Sequence, residues 1–213
     1  SVPMSESVSI SVPAVLPLFP LREIVAFPYM IFPLFLKDDE LTAFEDMLGH
    51  EQMVVLARTR EEAASGQTPQ LCEIGTLCKV NQIYRLPEGG GKVVLEGVVR
   101  VRILDVADTL PHIQVRCEVV HEFFEKSVVS EALVQSLNAL LKIALSYGRP
   151  LPDDVMKMID LIDNPARLAD LVALYVNLPL DEQQRLLETV DPLERLKKVY
   201  MHLTAEEIGR AHV

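Results

Sequence analysis

Four groups of residues carry side chains or backbone able to do chemistry, and each is answered by its spacing. The run Gly89-Gly90-Gly91-Lys92 places glycines before a lysine, the order in which a P-loop cradles phosphate. That loop needs G-x-x-x-x-G-K-[ST], and here position 86 is leucine and position 93 is valine. The run therefore reads as a hairpin turn. The histidines are His50, His112, His121, His202 and His212, with no H-x-x-x-H pair among them. Cys72, Cys78 and Cys117 are an odd set without C-x-x-C spacing, so neither a disulfide framework nor a zinc site is expected. They fall on apolar strand faces and read as small buried hydrophobes. Asp38-Asp39-Glu40 and Asp153-Asp154 resemble metal clusters only in composition. Acids at a helix start, favoured by the helix dipole, explain both. No catalytic residue, cofactor-binding residue or metal ligand is assigned, and an enzyme is the least favoured class.

The charge balance narrows the partners. The chain of 213 residues carries a net charge of −11, and its first 125 residues hold 10 Lys+Arg against 18 Asp+Glu. Phosphate recognition depends on clustered cations that displace counterions, so nucleic acid is an unlikely partner. Arg100, Arg102 and Arg116 sit on the polar faces of strands, interleaved with Glu96 and Glu118, and read as cross-strand ion pairs. The stretch Leu16–Leu36 is long and apolar enough to suggest a membrane span. Pro17, Pro20, Pro28 and Pro33 break it as a helix, at roughly 3 kcal/mol for each interior proline, and Arg22-Glu23 sits inside it. It reads instead as short proline-edged strands of a soluble core. Without a basic, then apolar leader at Ser1–Pro13, and with three cysteines that cannot all pair, a cytoplasmic protein is expected.

Two periodicities divide the chain. Up to about residue 124 the period is two: Ile113, Val115, Cys117 and Val119 share one strand face, as do Val99, Val101 and Ile103, and Cys72, Ile74, Thr76, Cys78 and Val80. Pro87–Gly91 joins two strands as a loose hairpin. One helix is expected at about Asp39–Leu48, capped by Asp38 or Asp39 and ended by a left-handed Gly49. From residue 125 the period is helical. Leu133, Leu137, Leu140, Leu141, Ala144 and Leu145 form a stripe ended by Gly148 and Pro150, and Val155, Met158, Ile159 and Ile162 form a shorter one. Asn164-Pro165 and Asp191-Pro192 each give an N-cap followed by proline. They begin helices with apolar positions Leu168, Leu171, Val172, Tyr175 and Leu193, Leu196, Tyr200, Leu203, and a short helix near Glu182–Val190 lies between. The expected class is α+β: a disordered tail at 1–13, a mostly antiparallel β-barrel or sandwich with one helix at 14–124, and an α-helical bundle of four or five helices at 125–213.

The strand Leu16–Leu18, the step Pro20–Glu23, the turn Phe27-Pro28 and the strand Met30–Leu36 open the chain, and Glu96-Gly97-Val98-Val99-Arg100, the helix start Asn164–Asp170, the step Leu186–Glu188 and Leu193–Leu196 follow in that order. Together, in both halves, these pieces resemble the N-terminal domain of the Lon protease family. The resemblance implies a barrel of the pseudouridine-synthase and archaeosine-transglycosylase (PUA-like) type, followed by the helical bundle. It also implies a role in capturing unfolded or degron-bearing proteins and in assembling a homohexamer. By the same resemblance, ATP and Mg²⁺ are expected only in an ATPase domain outside this chain. The alternative is a stand-alone protein of the same fold acting as an adaptor or regulator; an RNA-binding barrel is disfavoured by charge.

Two surfaces are candidates for those tasks. Pro28, Tyr29, Met30 and Phe32 lie around a turn where exposed aromatic and methionine side chains would meet varied apolar peptides; packing beneath a neighbouring helix is the alternative. Leu193, Leu196, Tyr200 and Leu203 follow a 3-4-3 spacing that suits either a helix seam between copies or between domains, or docking on the chain's own helices.

Overall fold

A computed structural model describes residues 15–60, 70–146, 153–162, 164–174 and 176–211. The chain runs β1 (Val15–Leu21), β2 (Ile31–Leu36), α1 (Asp38–Met47), β3 (Met53–Arg58), β4 (Ile74–Arg85), β5 (Gly91–Asp108) and β6 (Gln114–Val119). The helices α2 (Val128–Ser146), α3 (Asp153–Leu161), α4 (Pro165–Ala173), α5 (Leu180–Glu188) and α6 (Pro192–Ala211) follow. The tail at 1–13, the helix stop at Gly148 and Pro150, and Tyr175 lie outside the described residues.

The strands lie in the order β2-β5-β4-β3-β1-β6, and β6 returns to pair with β5, so five strands close on themselves and β2 flanks them. All pairs are antiparallel except β1 with β3. The long β5 makes closure possible. Its first half pairs with β2, its second half with β6, and β4 lies along most of its length. Register shifts at Leu77/Cys78 and Val80/Gln82 give the bends such a sheet needs. Strand β3 is buried on both faces. Val54 and Leu56 join the core under α1, while Val55 and Ala57 face the barrel's other core with Leu16, Leu18, Leu77, Val101 and Val115. A continuous apolar run there, rather than alternation, is what two-sided burial requires.

Helix α1 corrects two local expectations. Its N-cap is Lys37, whose N–H donates to the Glu40 carboxylate at 3.0 Å. Asp38 accepts instead from the Gly90 N–H, at 2.7 Å, which ties the helix to the β4–β5 hairpin. There, Gly89 and Gly90 adopt the positive φ that a tight turn demands. At the other end Leu48 is extended and turns the chain directly toward β3, so Gly49 does not serve as a left-handed cap; Gln52 takes the positive φ.

Both expected caps that stand before a proline are present. The Asn164 side chain accepts from the Ala166 N–H at 2.9 Å, and Asp191 accepts from Leu193 and Glu194 at 2.9 and 3.0 Å. The helical core of Leu137, Ile159, Leu168, Val172, Leu186, Leu196, Val199 and Leu203 continues without interruption into Val25, Phe27, Ile74 and Val120 of the strand half. That shared core fixes what meets at the junction between the halves.

Candidate functional site

Charge at the junction is concentrated in four residues from four segments. Arg100 of β5 is 1% exposed and donates to both carboxylate oxygens of Asp170 on α4, at 2.6 and 2.7 Å. It also reaches Glu122, in the segment between β6 and α2, at 3.0 Å, and its Nε donates to the Leu187 carbonyl. Arg195 of α6 meets Glu122 at 2.8 Å and Asp170 at 3.3 Å as ion pairs outside hydrogen-bond direction, while its Nη1 donates to the Thr189 carbonyl. Burial, aided by the neighbouring Arg100, holds the Arg195 guanidinium below its usual range, although Asp170 and Glu122 pull the other way. Two cations and two anions thus balance in a largely buried junction, where an unpaired charge would be costly.

This arrangement overturns the expectation that Arg100 lies on a solvated strand face. Arg102 and Arg116 do lie there, with Arg116 2.6 Å from Asp105 and Arg102 4.0 Å from Glu118. Alternation along β5 gives Arg100 its face. It does not reveal that α4 and α6 cover that face with a matching charge.

The cluster supports the turn between β1 and β2. The Phe27 ring, 1% exposed, lies 6.0 Å from the Arg100 guanidinium. Tyr29 donates its N–H to Gly97 at 2.8 Å, and Gly97 donates to Met30. A Cβ at Gly97 would stand 2.1 Å from the Phe27 carbonyl oxygen, so only glycine lets the turn lie against β5. Tyr29 itself takes a φ of 68°, uncommon for a bulky residue, and presents its ring at 56% exposure. The Arg167 guanidinium of α4 lies 5.1 Å from that ring.

Of the four turn residues singled out by sequence, the structure exposes one. Pro28 is buried, Phe32 is in the core beneath α1, and Met30 packs against both that core and the helical one. In their place β2 turns Ile31 (65% exposed), Pro33 and Phe35 (69%) outward. The hydrogen bonds at Gly97 set the pairing so that Ile31 and Glu96 face each other without mutual bonds. Ile31, Pro33 and Phe35 therefore aim their backbone groups at the edge of β2 that, among the described residues, pairs with no strand. Pro33 has no N–H to offer there, so it costs no ladder bond and blunts the edge against stray strand pairing. On the same face, across the sheet from Phe35, Lys92 lies 5.2 Å over the half-exposed Tyr84 ring. Apolar residues on both faces of β2 hid this strip from a polar/apolar reading.

The helix face Leu193, Leu196, Tyr200 and Leu203 faces inward. Leu196 and Leu203 are buried with Val199, and Tyr200 packs on the same core, while Leu193 is half-buried. A 3-4-3 spacing looks the same whether its partner is another copy or the preceding helices; here α2 and α4 fill that role. Cys72 and Cys78 are buried, and burial pushes the Cys78 thiol up. Among the described residues, no group of three or more His, Cys, Asp or Glu is placed to hold a metal ion. No helix among them is long and apolar enough to cross a membrane.

Comparison with known proteins agrees with this geometry. Residues 15–205 match the family model of the ATP-dependent protease La (LON) substrate-binding domain. A Lon protease of Citrifermentans bemidjiense is 65% identical over 203 residues, which is 95% of this chain and 26% of that protein. One of Geobacter metallireducens is 33% identical over 208 residues, 96% of this chain and 25% of the other. The chain thus spans about a quarter of the length of these relatives. Among solved structures, the N-terminal domain of the Mycobacterium avium complex Lon protease shares the fold, with a TM-score of 0.73 at 22% identity. That match covers 89% of this chain and 98% of that domain.

Proposed function

This chain belongs to the family of LON substrate-binding domains, and from that premise we propose that it captures unfolded or degron-bearing polypeptides for a parent ATP-dependent Lon protease. The observation that carries the reading is the exposed apolar ridge of Tyr29, Ile31 and Phe35, held on a buttressed turn and an edge strand. An unfolded protein shows apolar side chains that its folded form hides. Covering such a ridge gains roughly 1.5–3 kcal/mol for each large side chain fully buried, without requiring one sequence. The chain's own part is to bind and to present. ATP and Mg²⁺ act in the parent's ATPase domain, and peptide-bond hydrolysis is the parent's chemistry.

Binding by one ridge is weak. In a homohexameric cytoplasmic parent, six ridges around one ring would hold a long unfolded chain at several points, and such avidity adds about 10²–10⁴-fold without new contacts. Because Leu196 and Leu203 are in the core, assembly in this reading uses other surfaces.

The test compares binding of this chain to a reduced, alkylated protein that stays unfolded in buffer and to the same protein folded, with mass followed by light scattering. Selective binding to the unfolded form is expected, weakened about tenfold or more by Ile31→Ser with Phe35→Ser, each removing an apolar contact of about 1 kcal/mol. Equal affinity of the variant for the unfolded protein would remove the ridge from the capture surface. Met30 is excluded from such a variant because it is packed in both cores.

A further inference from the structure

Arg167 differs from other arginines of the chain. Arg58, Arg60, Arg85, Arg116 and Arg185 each face a carboxylate of the chain. Arg167 is exposed, and among the described residues its contact is the Tyr29 ring rather than an acid. A cation held over a ring is attracted by the ring's quadrupole and not by a hydrogen-bond acceptor, so this contact engages none of the Arg167 N–H groups in a hydrogen bond. Those groups form the planar fork that grips a carboxylate with two parallel hydrogen bonds. Arg167 also lies in the first turn of α4, where no acidic side chain offsets the positive end of the helix dipole. A cation there is of no help to the helix itself. Asp170, one turn on, is fully engaged by Arg100 and does not reach out to neutralise it.

Resting on the reading of Tyr29 as part of the capture ridge, we propose that Arg167 and Tyr29 form a carboxylate-selective corner of that ridge. The preferred occupant is an apolar polypeptide segment carrying an internal acidic side chain, as in Asp-Phe, beside its apolar residues. The aromatic ring takes the apolar neighbour, while the guanidinium edge takes the acid. On a chain of net charge −11 this corner gives selectivity that general electrostatics would oppose, since the bulk of the surface repels acidic peptides.

The experiment uses the whole chain and two labelled twelve-residue peptides, both amidated and rich in Leu and Phe, one with a central Asp-Phe and the other with Asn-Phe. Fluorescence anisotropy at low salt is expected to give about three- to tenfold tighter binding of the Asp peptide, a margin that fades by about 0.5 M salt. Arg167→Gln abolishes the margin and leaves the Asn peptide's affinity unchanged; Arg167→Lys restores it only in part, because an ammonium lacks the fork. Tyr29→Ser weakens both peptides. Equal binding of the two peptides by the native chain, with both still sensitive to Tyr29→Ser, overturns the corner and keeps the capture reading. A margin that survives Arg167→Gln also overturns it. Failure of both peptides to bind or to compete with the unfolded protein overturns the corner and the capture reading together.

Discussion

Asp170→Ala tests the junction more directly than any other single change. The substitution removes a side chain that is 2% exposed and accepts both hydrogen bonds of the Arg100 fork, at 2.6 and 2.7 Å. It leaves two buried guanidinium groups to share Glu122, whose side chain is 23% exposed and lies 3.0 Å from Arg100 and 2.8 Å from Arg195. Removing one member of a buried ion pair costs about 3–5 kcal/mol, chiefly the penalty of the charge left behind. Against a typical stability of about 5–15 kcal/mol that is a large loss, near 10 °C in melting temperature for a chain of this size. Arg116 is the internal control. Its contact with Asp105 is just as short, 2.6 Å, but the two side chains are 53% and 54% exposed, so Arg116→Ala is expected to cost no more than about 1 kcal/mol. The double variant Arg100→Met with Asp170→Leu leaves Arg195 and Glu122 as a neutral pair and should recover about half or more of the Asp170→Ala loss. Urea unfolding followed by far-ultraviolet circular dichroism reads all three, with a constant m-value as the check on two-state behaviour. Equal costs for Asp170→Ala and Arg116→Ala, or a double variant no more stable than Asp170→Ala, would refute the reasoning that burial rather than distance sets the energy.

Three further expectations follow from particular contacts. Gly97→Ala forces a Cβ to within 2.1 Å of the Phe27 carbonyl oxygen, so it should cost about 1–3 kcal/mol or more in the same assay and lower capture of unfolded protein, because the turn must shift. Leu196→Ala empties part of the helical core and should lower stability by about 2–5 kcal/mol, with no change in light-scattering mass while the chain stays folded; a lower mass at unchanged stability would return that helix face to assembly. Burial raises the Cys78 thiol most and the half-buried Cys117 thiol as well, so both stay protonated at neutral pH; because Cys72 is buried too, a thiol reagent should modify the native chain at Cys117 alone, slowly, and all three cysteines in urea.

Much of the architecture was legible in the chain because it rests on local causes. Proline positions ruled out a membrane helix at Leu16–Leu36 and placed strands there, and the Asn164 and Asp191 caps fixed where α4 and α6 begin. The missing glycine and hydroxyl at positions 86 and 93 made Gly89–Lys92 a hairpin, as the structure shows. Spacing of two and of 3.6 separated the strand half from the helical half. Each of these signals acts within a turn or two of chain, so neighbours in sequence suffice to read it.

What the tertiary structure decided is which of two equivalent-looking surfaces faces water. Arg100 and Arg116 both lie on strand faces marked polar, yet α4 and α6 cover only Arg100, and Asp170 lies 70 residues away in the chain. Ile31 and Phe32 are adjacent and both apolar; pairing with β5 and the position of α1 send one outward and the other into the core. Leu196 and Leu203 would suit a partner helix from any source, and α2 and α4 supply it from within. Periodicity gives a residue its face, but the energy of that face depends on what is packed against it. That contact is made by segments far apart in sequence, and no local pattern records it.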